Sequence, residues 1–203
     1  MIAIIDYGIG NLRSVQRGLE RAGAETVVTG DPMTIRLADA VVLPGVGAFG
    51  EGMAQLEQRG LVLPIDQVIS AGKPFLGICL GLQLLFQQSD EMGRTDGLGV
   101  FKGCVRRFPE TQGLKVPHVG WNQLHIRQQN PLLAGVPDGS FAYFVHSYYV
   151  QPSRPDIIVA TTDYGLDFAS VVAHGNVYGV QFHPEKSQSV GAAILRNFVL
   201  LSL

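Results

Sequence analysis

At 203 residues, with 46% hydrophobic and 16% charged residues, the chain is large enough for one substantial α/β core. Its net charge is −2 and it holds no block of Lys or Arg, which argues against nucleic acid as a partner. The N-terminus Met-Ile-Ala-Ile-Ile-Asp has no basic n-region, and no apolar run is long enough to span a bilayer. A cytoplasmic protein with no membrane partner is therefore expected. Two cysteines, Cys79 and Cys104, do not make a disulfide framework.

Ile2–Ile5 is a short apolar run that predicts a strand ending at Asp6, and a turn over residues 7–11 follows. Leu12, Val15, Leu19 and Ala22 recur at three- and four-residue steps, a helix that Gly23 stops. Residues 25–29 read as a second strand, residues 30–32 as a turn into a short helix, and residues 40–43 as a third strand ending in Pro44. The segment 45–50 then matches G-x-G-x-x-G and opens a helix marked by Phe49, Met53 and Leu56. A dinucleotide site would also want an acid at the end of the next strand. That strand ends at Cys79 with no acid beside it, and Asp66 lies inside the apolar helix 62–71. These glycines are better used to bring backbone N–H groups near Cys79. The alternation of strands and helices predicts a parallel sheet covered on both faces.

After an apolar helix over 80–86 the pattern changes. Residues 87–99 are polar and contain glycine, and an irregular connection is expected. Residues 103–126 and 141–180 are rich in Val, Tyr, Phe and Thr and read as mostly antiparallel strands added to the parallel core. The stretch 117–122, with the only tryptophan, is expected as a loop, either packed or an exposed rim that meets a partner. Val190, Ile194, Phe198 and Leu201 mark a final helix. The expectation is one domain over 1–203: α/β, a mostly parallel central sheet with helices on both faces, plus a smaller antiparallel sheet.

Cys79 sits where a buried strand becomes a helix, flanked two residues away by Gly77 and Gly81. That is the pattern of a nucleophile elbow, Gly-x-Nuc-x-Gly, with the helix N-terminus favouring a thiolate. A buried structural cysteine would give the same residue, so partners elsewhere must decide. Of the five histidines, His125 and His174 neighbour charged or turn residues and are expected at the surface. His183 ends an apolar strand and is followed by Pro184 and Glu185. Pro184 holds His183 extended, so His183 and Glu185 share a face and the carboxylate can orient the imidazole. Nucleophile, base and orienter make a triad. A metal site competes for the same residue types, but no ligand spacing such as C-x-x-C or H-x-x-x-H occurs, and neither a metal nor another cofactor is expected.

Gly77-Ile-Cys-Leu-Gly81, with Gln83 two residues on, and His183-Pro-Glu185 resemble the signature of the class I (triad) glutamine amidotransferases. Asp6-Tyr-Gly-Ile-Gly-Asn11, Pro44-Gly-Val-Gly47, Pro117-His-Val-Gly-Trp-Asn122, Tyr143-Phe-Val-His-Ser-Tyr148 and Gln181-Phe-His-Pro-Glu-Lys-Ser187 extend the resemblance over nearly the whole chain. They point to the branch that feeds ammonia to a cyclase in histidine biosynthesis. Leu82 stands where many relatives have Met; the triad shows no departure. The resemblance implies a flavodoxin-like fold and hydrolysis of glutamine to glutamate and ammonia by Cys79, His183 and Glu185. It also implies a heterodimer with a (β/α)8-barrel cyclase. Leu80 and Val46 would supply the oxyanion N–H groups. Gly47, Gln83, Glu91, Ser147 and Tyr148 would hold the glutamine, and Pro117, Trp121, Tyr143 and Lys186 would lie at the interface. The rivals are a class I glutaminase serving purine, pyridoxal phosphate or anthranilate synthesis, a free-standing cysteine hydrolase, and an inactive subunit that only binds its partner.

Overall fold

The computed structural model describes residues 1–110 and 114–203. Its first part runs β1 (Ile2–Ile5), α1 (Leu12–Arg21), β2 (Thr26–Thr29), α2 (Pro32–Leu37), β3 (Ala40–Gly45), α3 (Phe49–Gln58), α4 (Val62–Ser70), β4 (Phe75–Cys79) and α5 (Leu80–Leu84). The strand-rich part follows as β5 (Phe86–Ser89), β6 (Thr95–Asp96), β7 (Phe101–Arg107), β8 (His118–Ile126), β9 (Ser140–His146), β10 (Tyr148–Pro152), β11 (Ile158–Asp163), β12 (Asp167–His174) and β13 (Val177–Val180). Helix α6 (Gln188–Leu201) closes the chain.

Strands β1, β3, β4 and β13 are buried at every residue, so each needs cover on both faces. Alternate side chains divide the cover. Ile2, Ile4, Val42, Leu76 and Ile78 pack with α1 and α6 through Val15, Leu19, Ile194 and Phe198. Ala3, Ile5, Val41, Leu43 and Phe75 pack with α2 to α5 through Ile35, Met53, Ile65 and Leu80. Helix α2 starts at a side-chain cap, where Asp31 accepts the Thr34 N–H at 2.8 Å ahead of Pro32.

The nine-stranded sheet has the order β2-β1-β3-β4-β13-β12-β11-β8-β9. It is parallel from β2 to β13 and antiparallel from β13 to β9. A second sheet, β10-β7-β5-β6, is the smaller, mostly antiparallel one expected, with one parallel pair, β5 with β7.

Three local expectations are corrected. Helix α5 ends at Leu84, and Phe86 opens strand β5, because its ring packs on Phe101 at 5.5 Å and its backbone pairs with β7. The polar segment 87–99 is accordingly not wholly irregular; it holds most of β5 and all of β6. Residues 118–122 are not a loop but the start of β8. Val119 and Trp121 are exposed while His118 is buried, a period-two pattern that Pro117 and Gly120 obscure in the sequence. Residues 111–113 of the expected strand-rich region lie outside the described residues.

Candidate active site

Strand β4 passes into α5 with no linker, so Cys79 must turn the chain by itself. It does so at φ +54° and ψ −109°, a region that non-glycine residues rarely occupy. The turn brings backbone against backbone. A Cβ on Gly77 would lie 2.7 Å from the Gly81 carbonyl oxygen, and one on Gly81 only 1.8 Å from the Leu43 carbonyl oxygen. Both positions therefore require glycine. Cys79 is 5% exposed, and it is a free thiol, as is Cys104.

The sheet register brings the second loop to the cysteine. Strand β3 runs one step past Pro44, and its Gly45 pairs with Cys79. Val46 and Gly47 follow directly, Val46 being 42% exposed and Gly47 lying at φ +99°. Leu80 N–H belongs to the first turn of α5, where amide groups have no intrahelical acceptor.

Strand β13 runs beside β4, Val180 opposite Ile78, and delivers His183 from the other side. His183 is extended (φ −97°, ψ 99°), as Pro184 requires. Its backbone N–H donates to the Tyr143 carbonyl at 2.9 Å, and its Nδ1 lies 2.8 Å from Glu185 Oε1. The two side chains are 3% and 1% exposed. Burial disfavours the imidazolium, but the adjoining Cys79 and Glu185 side chains outweigh it and raise the His183 pKa. Among the described residues, His183 Nε2 and Glu185 Oε2 have no hydrogen-bond partner.

In front of the cysteine is a cavity of about 280 Å³, small enough to suit a single small molecule. Val46, Gly47, Leu80, Gln83, Glu91, Ser147 and Tyr148 all line it with Cys79, although they come from four separate stretches of sequence. Glu91 accepts the Phe49 N–H at 2.7 Å through Oε2, at the start of α3. Gln83 Nε2 donates to the Tyr148 carbonyl at 3.0 Å and to Gln181 Oε1 at 3.1 Å. Pro117, expected on the partner surface, also lines the cavity. Trp121 and Tyr143 pair across β8 and β9, ring centroids 5.9 Å apart, and Lys186 Nζ lies 5.8 Å above the Tyr143 ring. The same face exposes Val119, Phe141 and Val145.

Three features went unread in the sequence. Gln181 points its Nε2 at Cys79 Sγ, 3.8 Å away; its place two residues before His183 was the available signal. Tyr7 is fully buried, its hydroxyl without a partner among the described residues, and a Cβ on Gly45 would meet that oxygen at 2.3 Å. Nothing in the local sequence announces that contact. His118 and His146 face each other in the core at 3.0 Å. No cluster of three or more metal-ligating side chains occurs among the described residues.

A family model described as class I glutamine amidotransferase matches residues 3–201. The imidazole glycerol phosphate synthase subunit HisH of Geobacter metallireducens is 54% identical, the match covering 98% of this chain and 97% of that one. The subunit of the same name from Methanosarcina barkeri is 51% identical, again with 98% and 97% covered. A solved glutamine amidotransferase superposes with a TM-score of 0.77 at 19% identity, covering 100% of this chain and 99% of that one, a likeness of fold.

Proposed function

The chain belongs to the class I glutamine amidotransferase family, and from that premise we infer that Cys79, His183 and Glu185 are its catalytic triad. It acts as the glutaminase subunit of an imidazole glycerol phosphate synthase, in histidine biosynthesis, together with a cyclase subunit. The observation that carries the triad reading is the buried His183–Glu185 pair beside a cysteine held at positive φ.

The chemistry is acyl transfer. The Cys79 thiol gives its proton to His183 and its sulfur attacks the side-chain carbonyl carbon of glutamine, forming an S–C bond and an oxyanion. Leu80 N–H and Val46 N–H stabilise that oxygen. The His183 imidazolium, held by Glu185, gives its proton to the amide nitrogen as the C–N bond breaks, and ammonia leaves as a neutral molecule. Neutral His183 then takes a proton from water, whose oxygen attacks the thioester carbon; the C–S bond breaks, His183 returns the proton to the sulfur, and glutamate leaves. Gln83 and Glu91 hold the glutamine ammonium, since each keeps an oxygen that no donor among the described residues uses. Ser147 and Tyr148 form the adjoining wall, where the Tyr148 carbonyl meets Gln83.

The cyclase is read as a (β/α)8 barrel bound one to one, with residues 1–203 as a single catalytic domain. Its docking face is the exposed apolar side of β8 and β9 around Trp121, with Tyr143 and the Lys186 ammonium above its ring. No helix of the described residues is long and apolar enough to cross a membrane, and the cytoplasm is the compartment this reading implies. The test is glutamate release with and without the cyclase and its nucleotide substrate. Hydrolysis should appear in the complex, with one glutamate per product. A complex that never hydrolyses glutamine would leave only the binding-subunit reading.

A further inference from the structure

His118 and His146 stand directly opposite each other on β8 and β9, on the face away from Trp121 and Tyr143. They are 3% and 6% exposed and packed among Phe108, Phe144 and Phe168. Two imidazoles in an aromatic core need a reason, because each must satisfy two ring nitrogens.

Their hydrogen bonds run in one direction. His146 Nδ1 is 2.7 Å from the Tyr148 carbonyl, which can only accept, so Nδ1 carries the proton. Burial pushes the His146 pKa down to about 3 and that of His118 to about 4, so both rings are neutral at pH 7. His146 Nε2 then accepts, and His118 Nδ1 donates to it at 3.0 Å. His118 Nε2 accepts in turn from Asn122 Nδ2 at 3.3 Å. The Asn122 amide is fixed by its bonds to the Asp163 carbonyl and the Gln123 N–H, each 2.8 Å.

At its other end the chain of bonds enters the site. The Tyr148 carbonyl also accepts from Gln83, Gln83 donates to Gln181, and Gln181 donates to Cys79 Sγ. Ser147, between His146 and Tyr148, is where the chain leaves the large sheet for the small one. We infer that His118 and His146 are positioning residues: they fix the Ser147–Tyr148 wall of the glutamine pocket and tie its place to that of strand β8, whose other face carries Trp121. The inference rests on the glutaminase reading. Its physical basis is a continuous series of directed hydrogen bonds, each with one allowed polarity.

Substitutions at His118 separate this role from simple packing. His118→Phe keeps an aromatic ring between Phe144 and Tyr164, on which His118 now stacks with centroids 4.9 and 4.0 Å away, but removes the donor to His146. His118→Asn loses the ring and keeps a donor near the Nδ1 position. In the cyclase complex, the Phe variant should raise KM for glutamine about three- to tenfold. Synthesis from added ammonium salt should not change, and the Asn variant should lie closer to the wild type. A Phe variant with unchanged KM, or an Asn variant shifted as far as Phe, overturns the inference. Nitrogen-15 spectra of the wild-type imidazoles give a reading that needs no variant. Both rings should be Nδ1–H tautomers with bare Nε2, and an Nε2–H form of either overturns it. A wild-type complex that does not hydrolyse glutamine contradicts the glutaminase reading instead, and the tautomer measurement still decides the relay.

Discussion

Strands β3 and β4 meet the site through their backbone; strands β8 and β9 meet it through buried side chains. On the first side, Cys79, Gly45 and Gly81 are placed by sheet register and by contacts between main-chain atoms. On the second, Ser147 and Tyr148 are placed by His146, His118 and Asn122 through hydrogen bonds of 2.7 to 3.3 Å. Backbone contacts of that closeness leave little room for adjustment. A series of side-chain hydrogen bonds can shift by tenths of an ångström at each step, which suits a wall that answers to a partner.

The comparison predicts a step on one side and a gradient on the other. Gly81→Ala has the largest effect, because its Cβ would meet the Leu43 carbonyl oxygen at 1.8 Å and both are main chain. Denaturant unfolding should show a loss of about 3 kcal/mol or more, with glutamine hydrolysis lost as well. A stable, active variant would mean that the elbow is not rigid. Val46→Pro removes one proposed oxyanion donor, and the hydrolysis rate of the complex should fall by about 10²–10³. A rate within threefold of wild type would show that Val46 N–H does not touch the oxyanion.

How much of this was legible in the sequence follows the same division. The helix and strand periods of residues 1–79 fall where the structure has them, because helices covering a parallel sheet leave clear apolar spacing. Gly77, Gly81, Cys79 and His183–Glu185 are likewise neighbours within short motifs. The first half of β8 was read as a loop because Pro117 and Gly120 resemble loop residues and its inner face carries His118 and Asn122 in place of aliphatic residues. Phe86 continues the helical spacing of α5 and is claimed for a strand only by pairing with β7, which is a tertiary fact. The histidine relay joins residues 28 apart in sequence, and nothing local marks His118 or His146 as partners.

Smaller effects belong to the side-chain half. Trp121→Ala should weaken the cyclase complex about tenfold or uncouple glutamate release from synthesis, measured by calorimetric titration and product stoichiometry. Unchanged affinity with unchanged stoichiometry would remove Trp121 from the interface. The buried histidines also set a pH dependence. Their folded pKa values lie below the ordinary 6.5, so the unfolded chain takes up protons first as pH falls. Stability should therefore fall from about pH 6.5 toward pH 5, by about 1–2 kcal/mol per histidine. His183 has the opposite sign: its contribution is complete below pH 6.5 and is lost as pH rises through its raised folded value. Stability that stays flat between pH 6.5 and 5 would contradict neutral burial of the pair.

The most direct test is Cys79→Ala in the cyclase complex, assayed with glutamine and, separately, with ammonium salt, alongside Glu185→Gln. Synthesis from glutamine should vanish in the cysteine variant while synthesis from ammonia stays at the wild-type rate. Glu185→Gln should keep a measurable part of the glutamine-dependent rate, because it removes the orienter and leaves the nucleophile. Glutamine-dependent turnover by the Cys79→Ala complex would show that the sulfur is not the attacking atom and would contradict the account.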